Sequence, residues 1–212
     1  MMAIKLAIVV IIAYLLGSIP CGLIIGRLKK GIDIRQYGSG KIGGTNVMRT
    51  TGAKLGILTL IIDGVKAGMA VAIAQVIIGN ESMVIGSISI NWQVAQAMAG
   101  ISAIVGHNWP IFAQFRGGRG VAAYFGSMFW MAPIAATCGL TVLVIIALRT
   151  RHMSSGSISG AITSWCVMLI LTVSYGDPLV YLLYSSLIVV LIIYQHRDNI
   201  ERLRQGTERR LW

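Results

Sequence analysis

The fold is decided by residues 121–148, whose sequence is VAAYFGSMFWMAPIAATCGLTVLVIIAL. This apolar segment is longer than the about 20 residues with which a helix crosses a bilayer. Arginines flank it on both sides: Arg116, Arg119, Arg149 and Arg151. Because basic loops stay in the cytoplasm, both ends of the segment lie on that side and it crosses an even number of times. Pro133 and Gly139 interrupt it near the middle, so we predict two short helices that turn near residues 132–136.

The whole chain has the composition of an integral membrane protein. Of its 212 residues, 56% are hydrophobic and only 12% are charged, which excludes a soluble domain of this size. Further apolar segments lie at residues 4–26, 55–79, 93–106, 157–175 and 178–194. The first of them lacks the short apolar core and small-residue cleavage site of a secretory signal. We therefore count it as a membrane helix.

The distribution of charge predicts the topology. The net charge of +11 is concentrated between the apolar segments, whereas the stretches 80–92 and 174–178 contain no Lys or Arg. The basic loops are therefore cytoplasmic and these two stretches lie outside. With residues 121–148 counted as two crossings, we predict an all-α membrane protein with seven transmembrane helices, some of them short. It forms a single domain over residues 1–212, with the N-terminus outside and the C-terminus in the cytoplasm.

The basic loops predict anionic partners, and no metal or cofactor is expected. Loops of this kind lie near anionic lipid or bind an anionic substrate, and their position between apolar segments argues against nucleic acid. The three cysteines are isolated and form no CxxC pair, which is typical of buried, inert thiols. The seven acidic residues are scattered, and none pairs with a histidine at the spacing of a metal site.

The first basic loop contains the sequence GSGKIGGTNVMR at residues 38–49. Glycines let backbone N–H groups converge on an oxyanion, hydroxyl groups donate to it, and an arginine supplies a bidentate fork. The candidate ligands of an anion are Ser39, Thr45, Asn46 and Arg49. The loop is not a P-loop, because no Gly-Lys-Ser/Thr sequence occurs in it. A plain glycine-rich turn between two helices is the alternative interpretation.

The second basic loop lies within GHNWPIFAQFRGGRGVA at residues 106–122. Backbone donors at a helix N-terminus, joined by two guanidinium groups, make a phosphate site. The candidate residues of this site are Arg116, Gly117, Gly118, Arg119 and Gly120. A basic anchor at the membrane surface is the alternative, although an anchor needs no glycines. His107 is either a hydrogen-bonded structural residue or a contact to the substrate.

Two later loops add further candidates. Ser154 lies in the sequence RTRHMSSGS, which is either a charge pair with a serine-rich turn at a membrane end or part of the anionic site. His196 and Asn199 follow the last apolar segment three residues apart, and they share a helix face that turns towards the bilayer surface. A solvated amphipathic tail is the alternative there.

Asp63 and Lys66 are three residues apart within the second apolar segment. Ionisable groups at such a depth are costly unless they are paired or face a polar cavity. We expect an internal ion pair that fixes helix packing, a contact from Lys66 to the substrate, or both.

In order and spacing, these sequences resemble the bacterial acyl-phosphate:glycerol-3-phosphate acyltransferases (the PlsY family). The resemblance rests on GSGKIGGTNVMR, on GHNWP with FRGGRGVA, on the element around Arg151 and Ser154, and on the terminal HRDNI-x-R-L. It covers essentially the whole chain. It implies an enzyme that transfers a fatty acyl group from acyl phosphate to the 1-hydroxyl of sn-glycerol 3-phosphate. The products are lysophosphatidic acid and inorganic phosphate, CoA takes no part, and the reaction belongs to phospholipid synthesis.

The resemblance also implies a location and a set of roles. It implies a seven-helix enzyme of the bacterial inner membrane with its active site at the cytoplasmic face. Ser39 and Arg49 match residues expected to hold the glycerol phosphate, and together with His196 they are the expected catalytic residues. Gly117, Gly118 and Gly120 match the loop expected to bind the phosphate of the acyl phosphate, and Arg116 and Arg119 stand where the family pattern has lysines.

The last motif, which contains His196 and Asn199, supplies a candidate acceptor for the proton of the attacking hydroxyl. His196 and Asn199 match residues expected near glycerol 3-phosphate. His196 is the candidate general base, and the phosphate of the bound substrate is the alternative acceptor of the proton. An acyl phosphate is already activated, so the enzyme mainly has to bring two anionic head groups together and stabilise the developing charge.

Two other functions are compatible with the residues. A transporter of a phosphorylated metabolite would also need cations, although an internal repeat and a site at the bilayer midplane are typical of that class. An acyltransferase with a different phosphorylated acceptor is the second alternative.

Overall fold

The computed structural model describes residues 1–86 and 88–211, which divide into two compact units, Met1–Met131 and Ala132–Trp212. Among the described residues, the first unit contains α1 (Met2–Gly17), α2 (Cys21–Lys30), α3 (Gly44–Thr51), α4 (Ala53–Ile78), a hairpin of β1 (Met83–Ile85) and β2 (Ile88–Ile90), α5 (Trp92–Asn108) and α6 (Val121–Met131). Single 3-10 turns lie at Ile34–Gln36 and Ile111–Ala113. The second unit contains α7 (Pro133–Thr150), α8 (Met153–Tyr175), α9 (Leu179–Gln195) and α10 (Arg197–Arg204).

Several helices are membrane helices by length and composition. Within the described part of the chain, four stretches are long and apolar enough to cross a membrane: Met2–Lys30, Ala53–Ile78, Pro133–Thr150 and Met153–Tyr175. A fifth is added when α9 and α10, which are bent by 55°, count as one stretch. α5 and α6, with 17 and 11 residues, are shorter. A mostly helical, multi-pass membrane protein is confirmed, and the count of seven crossings stays a prediction.

The segment 121–148 forms two helices, as predicted. α6 ends at Met131 and α7 begins at Pro133, with Ala132 between them at φ −147° and ψ 77°. Proline is favoured in the first turn of a helix because its missing N–H would have no partner there. The break therefore lies at the first residue of the predicted turn.

The first apolar segment is not one regular helix. α1 ends at Gly17, and α2 begins after Pro20 at Cys21. Pro20 lacks an N–H group and disfavours the helical conformation of the residue before it. The carbonyl oxygen of Ile19 is consequently outside the helical hydrogen-bond ladder, and it accepts a hydrogen bond from the side chain of Lys66 at 2.8 Å.

Among the described residues, the predicted all-α fold has one exception, the two short strands Met83–Ile85 and Ile88–Ile90. Met83–Ile85 and Ile88–Ile90 form an antiparallel hairpin in which Met83 pairs with Ile90. The stretch ESMVIGSISI is rich in β-branched residues around Gly86, which has a φ of +62° and turns the chain. The charges of this stretch predicted its side of the membrane, but its β-branched residues were not interpreted as strands.

The residues after Arg151, for which a serine-rich turn was one interpretation, are helical. α8 begins at Met153, so Ser154 and Ser157 lie in its first turns. Gly156 and Gly160 allow α8 to approach α7 closely, because a Cβ atom on Gly160 would lie 2.6 Å from the carbonyl oxygen of Gly139. The glycine residues in this stretch are therefore small packing residues of a helix.

Small residues also bring the helices of the first unit together. A Cβ atom on Gly17 would lie 2.1 Å from the carbonyl oxygen of Ala103, and one on Gly126 would lie 2.0 Å from that of Gly64. Close approach at glycine is typical of membrane helices, because lipid supplies no hydrophobic drive for their association. The contacts pack α1 against α5 and α6 against α4, which fixes the helix ends from which the loops of the first unit begin.

Candidate active site

The side chain of Asn46 organises the first glycine-rich loop. Asn46 is buried at the start of α3. Its Oδ1 accepts a hydrogen bond from the backbone N–H of Ser39 at 2.9 Å. Its Nδ2 lies within hydrogen-bond distance of three carbonyl oxygens, those of Ile34, Tyr37 and Lys41, at 3.0, 3.1 and 2.9 Å. Asn46 was predicted to bind substrate; the structure shows that it holds the loop, and a direct contact to substrate stays a prediction.

Two glycines give the loop its shape. Gly38 and Gly40 have φ values of +58° and +69°, a conformation that costs other residues energy. A Cβ atom on Gly38 would lie 2.2 Å from Asn46 Oδ1, so this glycine also makes room for the amide. Ser39, Thr45 and Arg49 are each half-buried around the loop and α3. The residues predicted to bind one anion therefore all lie in the short segment formed by this loop and α3.

Asp33 stabilises the entry into this loop. Its carboxylate accepts hydrogen bonds from Arg35, at 3.0 Å from Nε and 2.7 Å from Nη2, and Arg27 lies 3.5 Å away. The hydrogen bond from Arg35 lowers the pKa of Asp33 to about 2. The carboxylate therefore stays ionised and engages two of the cations near the loop.

A small hydrophobic cluster joins the two basic loops of the first unit. It consists of Leu23, Ile34, Ile42, Val47 and Ala113, all buried. Ala113 belongs to the second loop, whereas Ile34, Ile42 and Val47 belong to the first loop and to α3. The two loops that the sequence predicted to bind phosphate groups are therefore packed on a common apolar base.

The glycines of the second loop pack against His107. The backbone N–H of Gly118 donates to the carbonyl oxygen of His107 at 3.0 Å. A Cβ atom on Gly118 would lie 2.1 Å from His107 Nε2, and one on Gly117 would lie 2.2 Å from the His107 carbonyl oxygen. Gly120, with a φ of +83°, precedes the first turn of α6. Arg116 is exposed and Arg119 is half-buried beside these glycines.

Backbone strain lies immediately before this loop. Gln114 and Phe115 have φ values of 56° and 58°, in the left-handed region that residues other than glycine rarely adopt. Each such residue costs on the order of 1 kcal/mol and persists only where its surroundings impose it. The N–H groups of Phe115 and Arg116 donate to the carbonyl oxygens of Pro110 and Ala113 at 2.9 and 3.1 Å, which holds the strained turn.

Asn108 is a further candidate site residue, which the sequence did not single out. It is buried at the end of α5, and neither of its side-chain polar atoms has a hydrogen-bond partner among the described residues. A Cβ atom on Gly120 would lie 3.1 Å from Asn108 Oδ1 and 3.3 Å from Nδ2. The unsatisfied amide therefore lies against the glycine at the N-terminus of α6. A polar residue next to His107 at the end of an apolar helix was the available signal.

The predicted ion pair between Asp63 and Lys66 is present. Lys66 Nζ lies 2.7 Å from Asp63 Oδ1, and both side chains are buried within α4. His107 joins them, with its Nδ1 3.5 Å from the same carboxylate oxygen. The ammonium group of Lys66 is thus engaged by Asp63 and by the Ile19 carbonyl group, and its predicted contact to substrate stays a prediction.

In the second unit, Glu208 binds two of the predicted site residues. It accepts hydrogen bonds from Ser154 Oγ at 2.9 Å, Asn199 Nδ2 at 2.6 Å and Arg202 Nε at 2.8 Å. Burial alone would raise the pKa of Glu208, but these hydrogen bonds lower it below the ordinary value. Ser154 and Asn199 were predicted to bind substrate; here both bind a carboxylate that sequence reasoning missed. Its signal was an acidic residue within a strongly basic tail.

His196 lies at the junction of α9 and α10, and it is buried. Its Nδ1 is 2.8 Å from the carbonyl oxygen of Ile192. A carbonyl oxygen can only accept a hydrogen bond, so Nδ1 carries a proton, and whenever the ring is neutral Nε2 is its basic nitrogen. Asn199 lies one turn further on, and its N–H donates to the His196 carbonyl oxygen at 2.9 Å.

The described residues form no cluster of His, Cys, Asp and Glu side chains of the kind that holds a metal ion. Over residues 1–86 and 88–211, no group of three or more His, Cys, Asp and Glu side chains is placed to hold an ion.

Relatives of known activity cover the full length of the chain. The family profile described as glycerol-3-phosphate acyltransferase matches residues 7–206. Glycerol-3-phosphate acyltransferase 3 of Dehalococcoides mccartyi (strain ATCC BAA-2266 / KCTC 15142 / 195) is 46% identical over 211 residues, with 100% of this chain and 98% of the relative covered. A glycerol-3-phosphate acyltransferase of Thermus thermophilus is 35% identical over 201 residues, with 95% and 92% covered.

Two crystal structures have the same fold. Both are of PlsY (YgiH), described as an integral membrane glycerol 3-phosphate acyltransferase. The glycerol 3-phosphate form superposes with a TM-score of 0.83 at 38% identity, covering 97% of this chain and 94% of that chain. The lysophosphatidic acid form gives a TM-score of 0.81 at 37% identity with the same coverage. Sequence and structure together show that this chain belongs to the glycerol-3-phosphate acyltransferase family.

Proposed function

We propose that this protein transfers a fatty acyl group from acyl phosphate to the 1-hydroxyl of sn-glycerol 3-phosphate in phospholipid synthesis. The products are lysophosphatidic acid and inorganic phosphate. The acceptor is supported by the family to which the chain belongs and by the described forms of the similar structures, with glycerol 3-phosphate and with lysophosphatidic acid. The assignment of acyl phosphate as the donor rests on this chain's own residues.

The observation that carries the donor assignment is the buried amide of Asn108 beside the second glycine loop. A buried amide donor without a partner costs about 1–3 kcal/mol, and a phosphate oxygen at Gly120 that accepts a hydrogen bond from Asn108 Nδ2 would remove the cost of that donor. The N-terminus of α6 adds N–H groups and a positive dipole end. Arg116 and Arg119 add charge beside the glycines. This set of donors fits the phosphate of an acyl phosphate and the oxygen atoms that gain charge as it leaves.

The first glycine loop is assigned to the phosphate of the acceptor. Ser39 and Thr45 supply hydroxyl groups, and Arg49 supplies a guanidinium group for bidentate binding. Asn46 serves this site through the loop that it holds together. The shared apolar base that packs Ala113 against Ile42 and Val47 supports a role for both loops in one reaction.

The reaction balances without a cofactor. The 1-hydroxyl oxygen attacks the acyl carbon, the bond from that carbon to the phosphate oxygen breaks, and phosphate leaves with the electron pair. The hydroxyl proton passes to His196 or to the phosphate group of glycerol 3-phosphate. The hydrogen bond that places a proton on His196 Nδ1 supports His196, because it leaves Nε2 basic. Asn199 and Ser154 are assigned to support through Glu208.

We also assign the protein to the inner membrane, with seven crossings and a cytoplasmic active site. The five candidate stretches, together with the shorter α5 and α6, make seven. An ion pair between Lys5 and Glu81 supports the orientation of the first unit. It links the start of α1 to the end of α4, two regions that the charge distribution predicts to lie outside.

Cysteine labelling tests this topology in a variant that lacks Cys21, Cys138 and Cys166. Ile134 is 60% exposed at the break between α6 and α7, whereas Ala132 and Ala135 are buried, so Ile134→Cys is the suitable probe. We expect a membrane-impermeant reagent to label Ile134→Cys and Asn80→Cys from outside, and Lys54→Cys only from the cytoplasm. Labelling of Ile134→Cys from the cytoplasm alone would exclude seven crossings.

A comparison of donors tests the reaction. Purified protein in lipid is given glycerol 3-phosphate with either acyl phosphate or acyl-CoA of the same chain length. We expect lysophosphatidic acid from acyl phosphate and none from acyl-CoA. Product from acyl-CoA alone would overturn the donor assignment and leave the family assignment intact.

A further inference from the structure

A series of contacts between buried polar groups connects the break between α1 and α2 to the glycine loop 117–120. The Ile19 carbonyl oxygen accepts from Lys66 Nζ at 2.8 Å, and Lys66 Nζ contacts Asp63 Oδ1 at 2.7 Å. Asp63 Oδ1 is 3.5 Å from His107 Nδ1, and the other side of the His107 ring lies against Gly118. The side chains of Asp63, Lys66 and His107 are all at least 94% buried. All these residues belong to the first unit.

We propose that Asp63, Lys66 and His107 are positioning residues that fix the glycine loop 117–120 and thereby set the affinity for the phosphate of the donor. The inference rests on the proposed assignment of this loop to acyl phosphate. The three residues act through the loop, so they determine donor binding more than the rate of the chemical step. This distinguishes them from an ion pair that merely packs helices.

Two contacts between His107 and the loop support the inference. The His107 carbonyl oxygen accepts the N–H of Gly118 at 3.0 Å, and the imidazole occupies the space that a Cβ atom of Gly118 would need. A loop with three glycines in four residues has high conformational entropy when it is free. A ring held in one orientation restricts the loop before the donor binds. Donor binding therefore costs less conformational entropy.

The carboxylate of Asp63 faces the Nδ1 side of the ring, opposite the side that lies against Gly118. His107 Nδ1 has no hydrogen-bond partner among the described residues, and the nearest carboxylate is that of Asp63, at an ion-pair distance. Contacts at such sites tighten when the ligand is bound. Lys66 is needed as well, because a buried carboxylate without a cation would repel an anionic donor and would itself be strongly unfavourable.

The test compares Michaelis constants for the two substrates in two variants. Asp63→Asn removes the charge with little change of shape, and His107→Gln removes the ring while leaving the ion pair in place. Each is expected to raise the KM for acyl phosphate by about 10-fold or more, with kcat and the KM for glycerol 3-phosphate within about 3-fold of wild type. The double variant is expected to resemble the stronger single variant, because both changes act on the same loop.

Gln75→Met is the matched control. Gln75 lies on α4, as Asp63 does, and accepts hydrogen bonds from Gln96 and Trp130 at 2.9 and 3.2 Å. Its loss is expected to lower thermal stability without separating the two KM values. If Asp63→Asn does not fold, His107→Gln alone decides the question.

The outcomes separate this inference from the proposed function. Equal changes in both KM values, or a fall in kcat alone, would overturn the positioning role while the donor assignment stands. If wild type uses only acyl-CoA, the donor assignment fails, and the ratio of donor KM to acceptor KM is then measured with acyl-CoA. A selective rise in donor KM there would still support the three residues as positioning residues for the loop, and its absence would overturn them.

Discussion

Asn199 donates a hydrogen bond of 2.6 Å to Glu208, which ties the last helix to the chain that follows it. The same carboxylate accepts from Ser154 on α8 and from Arg202 on α10. A buried carboxylate with three donors is well satisfied, and the removal of its charge leaves those donors short of a strong acceptor. Glu208 therefore maintains the position of Asn199, and with it the turn after His196.

We expect Glu208→Gln to lower the free energy of unfolding by about 1–3 kcal/mol, because it weakens three hydrogen bonds to a charged acceptor. Activity should fall with it, since Asn199 and the adjacent His196 lose support. Thermal unfolding in detergent, followed by an assay at a temperature where both proteins are folded, measures the two effects. Glu201→Gln is the control, because Glu201 is exposed and bonds only Gln205 among the contacts described. A Glu208→Gln protein as stable as this control would contradict the assigned role.

The lowered pKa of Glu208 makes stability depend on pH in one direction. A carboxyl group whose pKa is lower in the folded state stabilises the fold above its unfolded pKa of about 4.5 and loses that contribution as pH falls through the folded value. We expect wild-type stability to fall with pH in this acidic window by more than that of Glu208→Gln. Unfolding midpoints measured from pH 7 downwards give the comparison, and parallel curves would show that Glu208 does not titrate as described.

We expect Asn46→Asp to reduce activity by about 10²-fold, because the aspartate cannot donate to the carbonyl oxygens of Ile34, Tyr37 and Lys41. The loop that holds Ser39 then loses its shape. Asn91→Ala is the control in the same unit, where the side chain accepts from the backbone N–H groups of Gln93 and Val94 at the start of α5. It should cost about 1 kcal/mol of stability and leave kcat/KM unchanged. Normal turnover by Asn46→Asp would remove the loop from the site.

Gly118→Ala is expected to raise the KM for the donor by about 10-fold, because its Cβ atom would collide with the ring of His107. Gly64→Ala is the matched control on α4, since its Cβ atom would meet the carbonyl oxygen of Ala122 at 3.4 Å, an ordinary contact. Steady-state kinetics with each substrate varied in turn separates donor binding from acceptor binding. Equal kinetics for the two alanine variants would show that the loop tolerates the collision.

Much of the site could be predicted from sequence because many of its interacting residues lie close together in the chain. The Asp63–Lys66 pair follows from helical spacing, and the break between α6 and α7 follows from Pro133 between two basic ends. Partners distant in sequence could not be predicted. Nothing in the sequence pairs Glu208 with Ser154, or His107 with Asp63, and the internal use of Asn46 depends on how the loop folds back on α3.

We expect His196→Ala to lower kcat by about 10²-fold or more if His196 Nε2 accepts the proton of the attacking hydroxyl. A pH–rate profile gives the direction of the pH dependence, because activity that depends on a neutral histidine falls as the ring becomes protonated. Loss of the acidic limb in His196→Ala would agree with a base at this position. Retention of the whole profile at a near-normal rate would assign the proton to the phosphate of the substrate.

In the proposed reaction, two anionic substrates meet on basic, glycine-rich loops, and the acyl group passes from the phosphate of the donor to the 1-hydroxyl of glycerol 3-phosphate. The most direct measurement follows both products at once, with acyl phosphate and labelled glycerol 3-phosphate added to purified protein in lipid. We expect lysophosphatidic acid and inorganic phosphate in equal amounts, and a fall in both by about 10²-fold in Arg49→Ala. Phosphate release without lysophosphatidic acid, or full product formation by Arg49→Ala, would contradict it.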